Sequence, residues 1–176
     1  MTLQPQRVPK PVALAIALSL LSILFGFSMG GAFGIAESRM KKLLEDSGAE
    51  VLESAYQGDA AAMDAVVAKS WIYFQRAHLH GGGIGTAALG SIVVMTLVCR
   101  LGTVAQVSAV AFGAGALVYS QYWLWAGLLA PGLGGTSAAK ESLTFMALPG
   151  AGLCLLGVLG TLYCVIRDCF VRTQED

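Results

Sequence analysis

Residues 12–36 read VALAIALSLLSILFGFSMGGAFGIA, an unbroken run without a charged side chain. The hydrocarbon core of a bilayer is about 30 Å thick, and a helix needs roughly 20 apolar residues to cross it. This segment is therefore long enough to cross a membrane by itself. A secretory signal peptide has an apolar region of only about 7–15 residues, so we expect an uncleaved anchor. Cleavage at the small-x-small sequence Gly34-Ile35-Ala36 is the alternative.

The composition of the whole chain agrees with a lipid environment. Of its 176 residues, 56% are hydrophobic and 12% are charged, and the mean hydropathy is +0.68. A typical soluble domain carries about 25% charged residues, roughly twice the fraction found here. The formal net charge is zero and the sequence has no basic stripe, so we expect no nucleic-acid partner.

Three further segments, residues 77–99, 103–126 and 143–166, lack Asp, Glu, Lys and Arg. Each is long enough to span a membrane. Aromatic residues cluster near the end of the third segment, as is typical of a membrane–water interface; they are Tyr119, Tyr122, Trp123 and Trp125. The sequence predicts an all-α membrane protein that forms a four-transmembrane-helix bundle.

Residues 37–76 are the one long polar stretch of the chain. Apolar residues recur near helical spacing on both sides of Gly58-Asp59, and Asp59 fits a helix N-cap. We therefore expect an extramembrane helical hairpin between spans 1 and 2. The other predicted parts are an N-terminal tail at 1–11, a loop at 127–142 and a C-terminal tail at 167–176.

The orientation depends on how the cations are distributed between the two sides. If the N-terminus is cytoplasmic, that side carries Arg7, Lys10, Arg100, Arg167 and Arg172 on short segments. The other side carries Arg39, Lys41, Lys42, Lys69, Arg76 and Lys140. The positive-inside rule favours the first arrangement by density, although not by raw count. We expect an integral protein of a bacterial inner membrane with both termini cytoplasmic; the opposite orientation is the alternative.

Small residues at four-residue spacing suggest how the helices pack, since close backbone contact replaces hydrophobic drive in lipid. The first span has Ser22, Gly26, Gly30 and Gly34, and the second has Gly82, Thr86 and Gly90. The third has Ala105, Ala109 and Gly113, and the fourth has Gly152, Gly160 and Cys164. We expect these ladders to be helix-packing positions inside the bundle. The alternative is that one of them, the first above all, docks a partner subunit.

The two histidines of the chain, His78 and His80, lie in RAHLHGGGIG, residues 76–85, where the polar stretch enters the second span. Imidazole ligates haem iron, copper or zinc, and glycine lets a flat cofactor such as a quinone approach the backbone. His78 and His80 are therefore the candidate cofactor-binding and metal-binding residues. The simpler interpretation is that both are interfacial polar residues near a helix start, hydrogen-bonded or hydrated; a pH-sensing role is a further alternative.

Helix geometry limits what the two histidines can do together. Positions two apart on a helix point about 200° away from each other, so His78 and His80 can share a metal only on an extended backbone. On a helix, a second axial ligand for haem would come from a partner, from a second copy, or from Met29, Met95 or Met146.

No other catalytic pattern stands out in the sequence. There is no G-x-S-x-G elbow, and the glycines at 81–85 do not follow a predicted strand, which excludes a nucleotide-binding loop. No span has an Asp, Glu, Lys or Arg of the kind that marks ion paths.

We therefore expect a small integral membrane subunit of a larger membrane complex, respiratory or redox in type. It would act structurally or by positioning a cofactor (haem, copper or quinone), without catalytic activity of its own. Its partners would be the lipid bilayer and other membrane subunits or further copies of the chain. The alternatives are an oligomeric small-solute channel or transporter and, ranked last, a stand-alone membrane enzyme.

Overall fold

The computed structural model describes residues 8–171, which form helices joined by short turns. The helices are α1 (Lys10–Ala49), α2 (Leu52–Tyr56), α3 (Ala60–Val98), α4 (Thr103–Leu129), α5 (Thr136–Ser142) and α6 (Thr144–Ile166), and a π-helical turn follows at Arg167–Val171. By length and composition, α1, α3, α4 and α6 could each cross a membrane. The prediction of an all-helical chain with four long apolar helices is confirmed for the described residues.

The helix ends follow local signals in the sequence. α1 is kinked at Ala36, which leaves helical geometry with φ −135° and ψ 17°, at the last residue of the predicted first span. Asp59 caps α3, because its carboxylate accepts a hydrogen bond from the Ala62 N–H at 3.0 Å. α4 ends two residues before Pro131, whose ring has no N–H to continue the helical hydrogen bonds.

Two predicted boundaries differ from the observed ones. Part of the predicted loop at 127–142 is helical, because α4 continues to Leu129 and α5 occupies Thr136–Ser142. α5 contains Ala, Lys and Glu, which are good helix formers. The predicted tail at 167–176 starts with the π-helical turn Arg167–Val171. Arg7 and Arg172, both used in the predicted orientation, lie outside the described residues.

α4 is the central helix, since it packs against α1, α3 and α6, while α1 also packs along α3. α6 touches mainly α4, and only Gly150, Gly157 and Cys164 of this helix are buried. Large apolar side chains cover the outer surface, including Leu24, Phe27, Leu97, Phe145 and Leu155. Apolar surface on this scale marks contact with a membrane or with another protein.

The α1–α3 contact follows a spacing of alternately three and four residues. The buried residues of α1 before the kink are Val12, Ala15, Ser19, Ser22, Gly26 and Met29. Those of α3 are Ser70, Tyr73, Phe74, Ala77, Gly81, Gly85, Ala88, Ile92 and Met95. A mean spacing near 3.5 keeps residues in line along two packed helices. A strict four-residue ladder instead rotates about 40° at each step and so leaves the interface.

The first predicted ladder accordingly begins inside this interface and ends outside it. The Ser22 hydroxyl donates a hydrogen bond to the Gly81 carbonyl at 3.1 Å. A Cβ on Gly26 would overlap the backbone of Gly82, so the two helices touch through their backbones here. Gly34, at the end of the ladder, is exposed, and a Cβ there would meet nothing within 4 Å.

The second predicted ladder starts at the α1 contact, where the Gly82 backbone lies against Gly26, and continues on the outer side of α3. Thr86 and Gly90 are exposed, and a Cβ on Gly82 or Gly90 would meet open space. The residues that face α1 are Gly81 and Gly85, each one position earlier. Successive residues on a helix point about 100° apart. The predicted positions, each one residue later than the observed ones, therefore point to a different face of α3.

The ladders of the last two spans lie mostly in the α4 contacts. Ala105, Ala109 and Gly113 are all buried. On α6, Cys164 is buried and Gly160 lies against α4, whereas a Cβ on Gly152 would meet open space. Gly157, which the predicted ladder omits, packs against Phe112.

A leucine at position 26 should separate α1 from α3, because its side chain has no room beside the Gly82 backbone. We expect Gly26→Leu to lower the free energy of unfolding in detergent by about 1–3 kcal/mol or more. Gly34→Leu is the matched control and should change it by less than about 0.5 kcal/mol. Equal stability of the two variants in a thermal or denaturant melt would contradict the observed contact.

Candidate functional site

His78 lies half-buried in the contact between α3 and α1. Its Nδ1 is 2.7 Å from the Gly26 carbonyl oxygen, and because a carbonyl only accepts, the ring must donate this hydrogen bond. The ring also meets Phe33 edge-on, with centroids 5.7 Å apart. A Cβ on Gly30 would lie 2.8 Å from the imidazole Cε1, so glycine at that position makes room for the ring.

These contacts make His78 a link between two helices. Hydrogen bonds between helices in a membrane contribute about 0.6–1.7 kcal/mol each. The bond from His78 reaches Gly26, the same residue at which the backbones of α1 and α3 touch. The bond uses Nδ1 and leaves Nε2 as the other nitrogen of the ring.

His80 turns toward α4 instead. Its Nδ1 donates a hydrogen bond to the Arg76 carbonyl one turn earlier, at 2.7 Å. Its ring lies 5.2 Å from that of Tyr119 and 5.9 Å from that of Trp123, measured between centroids. It therefore sits at the edge of an aromatic cluster, which we define as Tyr73, Tyr119, Tyr122 and Trp123.

The structure does not bring the two histidines together. Both are on the regular helix α3, where His78 contacts α1 and His80 contacts α4. They cannot ligate one metal ion in this arrangement. Within residues 8–171, no group of three or more His, Cys, Asp or Glu side chains is placed to hold a metal.

The three methionines considered as axial ligands are spread over the bundle. Met95 is buried near the end of α3, about 25 Å along the helix from His78 at 1.5 Å per residue. Met29 packs with Leu44 and Phe74. Met146 packs against the aromatic cluster, which His80 also contacts. The described residues therefore do not support a haem or metal site built by this chain alone.

Sequence reasoning missed Tyr73 and Lys140, which extend the group of side chains that His80 joins through Trp123. Tyr73 is fully buried, and its ring centroid lies 5.0 Å from that of Trp123. Lys140 Nζ lies 5.6 Å from the Tyr73 ring centroid. The spacing along α3 could have identified Tyr73. It comes three residues after Ser70 and four before Ala77, so it lies on the same buried face of the helix as these two residues.

Because the histidines contact different helices, their substitutions should act independently. We expect His78→Ala to lower the free energy of unfolding by about 0.6–1.7 kcal/mol through loss of the bond to Gly26. The coupling energy with His80→Ala, from a double-mutant cycle in detergent melts, should stay within about 0.5 kcal/mol. A larger coupling, or stabilisation by added Zn²⁺ or haem that needs both rings, would show that they act together.

Comparison with known proteins finds no matching family model, no similar curated protein and no similar solved structure. The function is therefore inferred from the residues and contacts of the chain itself.

Proposed function

We propose that this chain is a small integral membrane subunit of a larger membrane assembly, in which it has a structural or cofactor-positioning task. In this proposal α1, α3, α4 and α6 cross the bilayer as a four-helix bundle, and residues 37–76 form a helical hairpin outside it. Both termini lie on the cytoplasmic side of a bacterial inner membrane. The length and apolar composition of the four helices support the insertion.

The observation that carries the proposal is the outer face of α3. Gly83, Thr86 and Gly90 are exposed, and a Cβ on Gly82, Gly83 or Gly90 would meet nothing within 4 Å. The fold uses the neighbouring face, with Gly81 and Gly85, for α1. Small residues on a membrane-spanning helix allow a second helix to approach closely. A helix of another subunit, or of another copy, fits on this face.

The arrangement of the helix ends supports the proposed orientation. One buried cluster contains Val12, Met95, Ala105 and Cys164. The start of α1, the end of α3, the start of α4 and the end of α6 therefore lie together at one end of the bundle. Lys10, Arg100 and Arg167 are close in sequence to these residues, and they share that end of the bundle. Cations at span ends on one side favour the cytoplasm.

The contacts of the histidines favour a structural task over catalysis. Each histidine uses its Nδ1 in a hydrogen bond to a carbonyl, His78 to Gly26 and His80 to Arg76, so each ring has only Nε2 left for a ligand. A cofactor positioned at His80 would need its second ligand from a partner subunit.

A large side chain on the outer face of α3 should prevent a partner helix from binding there without unfolding the chain. We expect Gly90→Leu to abolish co-migration with partner subunits on a native gel, while the free energy of unfolding changes by less than about 0.5 kcal/mol. Gly31→Leu, at an exposed glycine of α1 with open space around it, is the matched control and should keep the complex. A chain that migrates alone in mild detergent would contradict the subunit proposal.

The cofactor-positioning and structural versions of this proposal can be separated by an absorption spectrum of the purified chain and by its co-purification with partners, and a flux assay in liposomes tests the channel alternative. A Soret band that is lost on His80→Ala would support cofactor positioning. A colourless, metal-free preparation that still co-purifies with partners would support the structural version. Selective solute flux in liposomes made from this chain alone would overturn both and favour an oligomeric channel.

A further inference from the structure

The aromatic cluster contains two buried hydrogen-bond donors that have no acceptor. Tyr73 Oη and Trp123 Nε1 are inaccessible to solvent and form no hydrogen bond with any residue that the structure describes. The whole Tyr73 side chain is 0% exposed. Leaving a buried donor unsatisfied costs about 1–3 kcal/mol, and such groups in a native fold call for a specific explanation.

Two cations lie against the same rings. The Arg76 guanidinium carbon is 4.8 Å from the Trp123 centroid and 5.5 Å from the Tyr73 centroid. Lys140 Nζ is 5.6 Å from the Tyr73 centroid. Within residues 8–171 neither cation forms a salt bridge. Tyr73 and Trp123 therefore stand among donors and positive charge, which is the environment that an anion needs.

The position of these groups along the chain matches the depth of lipid headgroups. Arg76 directly precedes the second apolar segment, and Lys140 shortly precedes the fourth. Trp123 is near the end of the third segment, where aromatic side chains mark the membrane–water interface. If the four helices cross a bilayer as proposed above, all of these side chains lie at one interface.

We propose that Tyr73, Arg76, Trp123 and Lys140 bind the phosphate group of an anionic membrane lipid. A phosphate offers several acceptor oxygens: the Arg76 fork can donate two hydrogen bonds to it, and Lys140 adds a point charge. The Tyr73 hydroxyl and the Trp123 N–H are closed to solvent in the lipid-free fold, so in this proposal Arg76 and Lys140 swing from the ring faces onto the phosphate and open these two donors to it. A lipid suits the site better than free phosphate because Phe145 and Leu148, which follow Lys140 closely in the chain, are each 70% exposed and offer apolar surface to acyl chains.

The inference rests on the proposed membrane insertion, so the test begins with that. The full chain is expressed, its membranes are washed with alkaline carbonate, and the protein is purified in a zwitterionic detergent. Release of the chain into the carbonate wash would overturn the proposed function itself. A chain that stays in the membrane but fails the binding test below overturns only the lipid site.

Binding is measured by titrating the detergent-solubilised chain with dioleoyl phosphatidylglycerol and following tryptophan fluorescence, with native mass spectrometry to count bound lipids. We expect Arg76→Gln combined with Lys140→Gln to weaken apparent affinity about tenfold, because each cation near an anionic lipid contributes measurably. Tyr73→Phe should weaken it about threefold through loss of one donor. Lys69→Gln, at an exposed lysine of the same helix without a salt bridge, is the matched control and should bind like the unmodified chain.

Two further arms identify the ligand. Dioleoyl phosphatidylcholine should bind far more weakly than phosphatidylglycerol, and inorganic phosphate at millimolar concentration should not displace the lipid. Equal binding of the two lipids, or equal binding by the double variant and the Lys69→Gln control, would overturn the site. Saturation by inorganic phosphate alone would overturn the assignment to a lipid. Thermal melts of each variant without added lipid establish that any loss of binding is not a loss of fold.

Discussion

The backbone contact between α1 and α3 at Gly26 is the constraint on which most of the bundle depends. A Cβ at that position would overlap the Gly82 backbone, so the distance between the two helices is set by the absence of a side chain. The Ser22–Gly81 and His78–Gly26 hydrogen bonds, 3.1 Å and 2.7 Å long, both cross at this point. The small residues at this crossing allow the backbones to approach closely, which brings both carbonyl acceptors within reach of these side chains.

This contact also decides the roles of the two histidines. With α3 fixed by its glycine face against α1, His78 points into the crossing and His80, two residues later, points toward Tyr119 on α4. An extended backbone would have placed the rings differently, but the segment is helical throughout. One imidazole therefore serves helix packing, and the other is left beside the aromatic cluster.

The sequence was sufficient for the four long helices but not for their faces. Apolar length and the absence of charge mark the helices directly, and the kink of α1 lies at Ala36, where the apolar run ends. On α3 the predicted ladder starts at Gly82, whose backbone lies against Gly26, but the positions whose Cβ would face α1 are Gly81 and Gly85. Gly81, Gly82 and Gly83 are alike in sequence, so the sequence alone does not separate these two directions. The buried positions of α3 recur every three or four residues. Counting on in this way from Ser70 and Ala77 leads to Gly81, which is the glycine that faces α1.

The surroundings of Tyr73 could not be read from the sequence, because they bring together α3, α4 and α5. They differ from the surroundings of Lys41 and Lys42, the two paired lysines of α1. On the polar part of α1, Lys41 pairs with Glu37 and Lys42 with Asp46, each one turn away, and such exposed pairs contribute little to stability. Arg76 and Lys140 instead lie over aromatic rings, with no carboxylate partner in residues 8–171. Two lysines of α1 thus have a carboxylate one turn away, whereas Arg76 and Lys140 share the rings of Tyr73 and Trp123, where the anion proposed above would give both cations a partner.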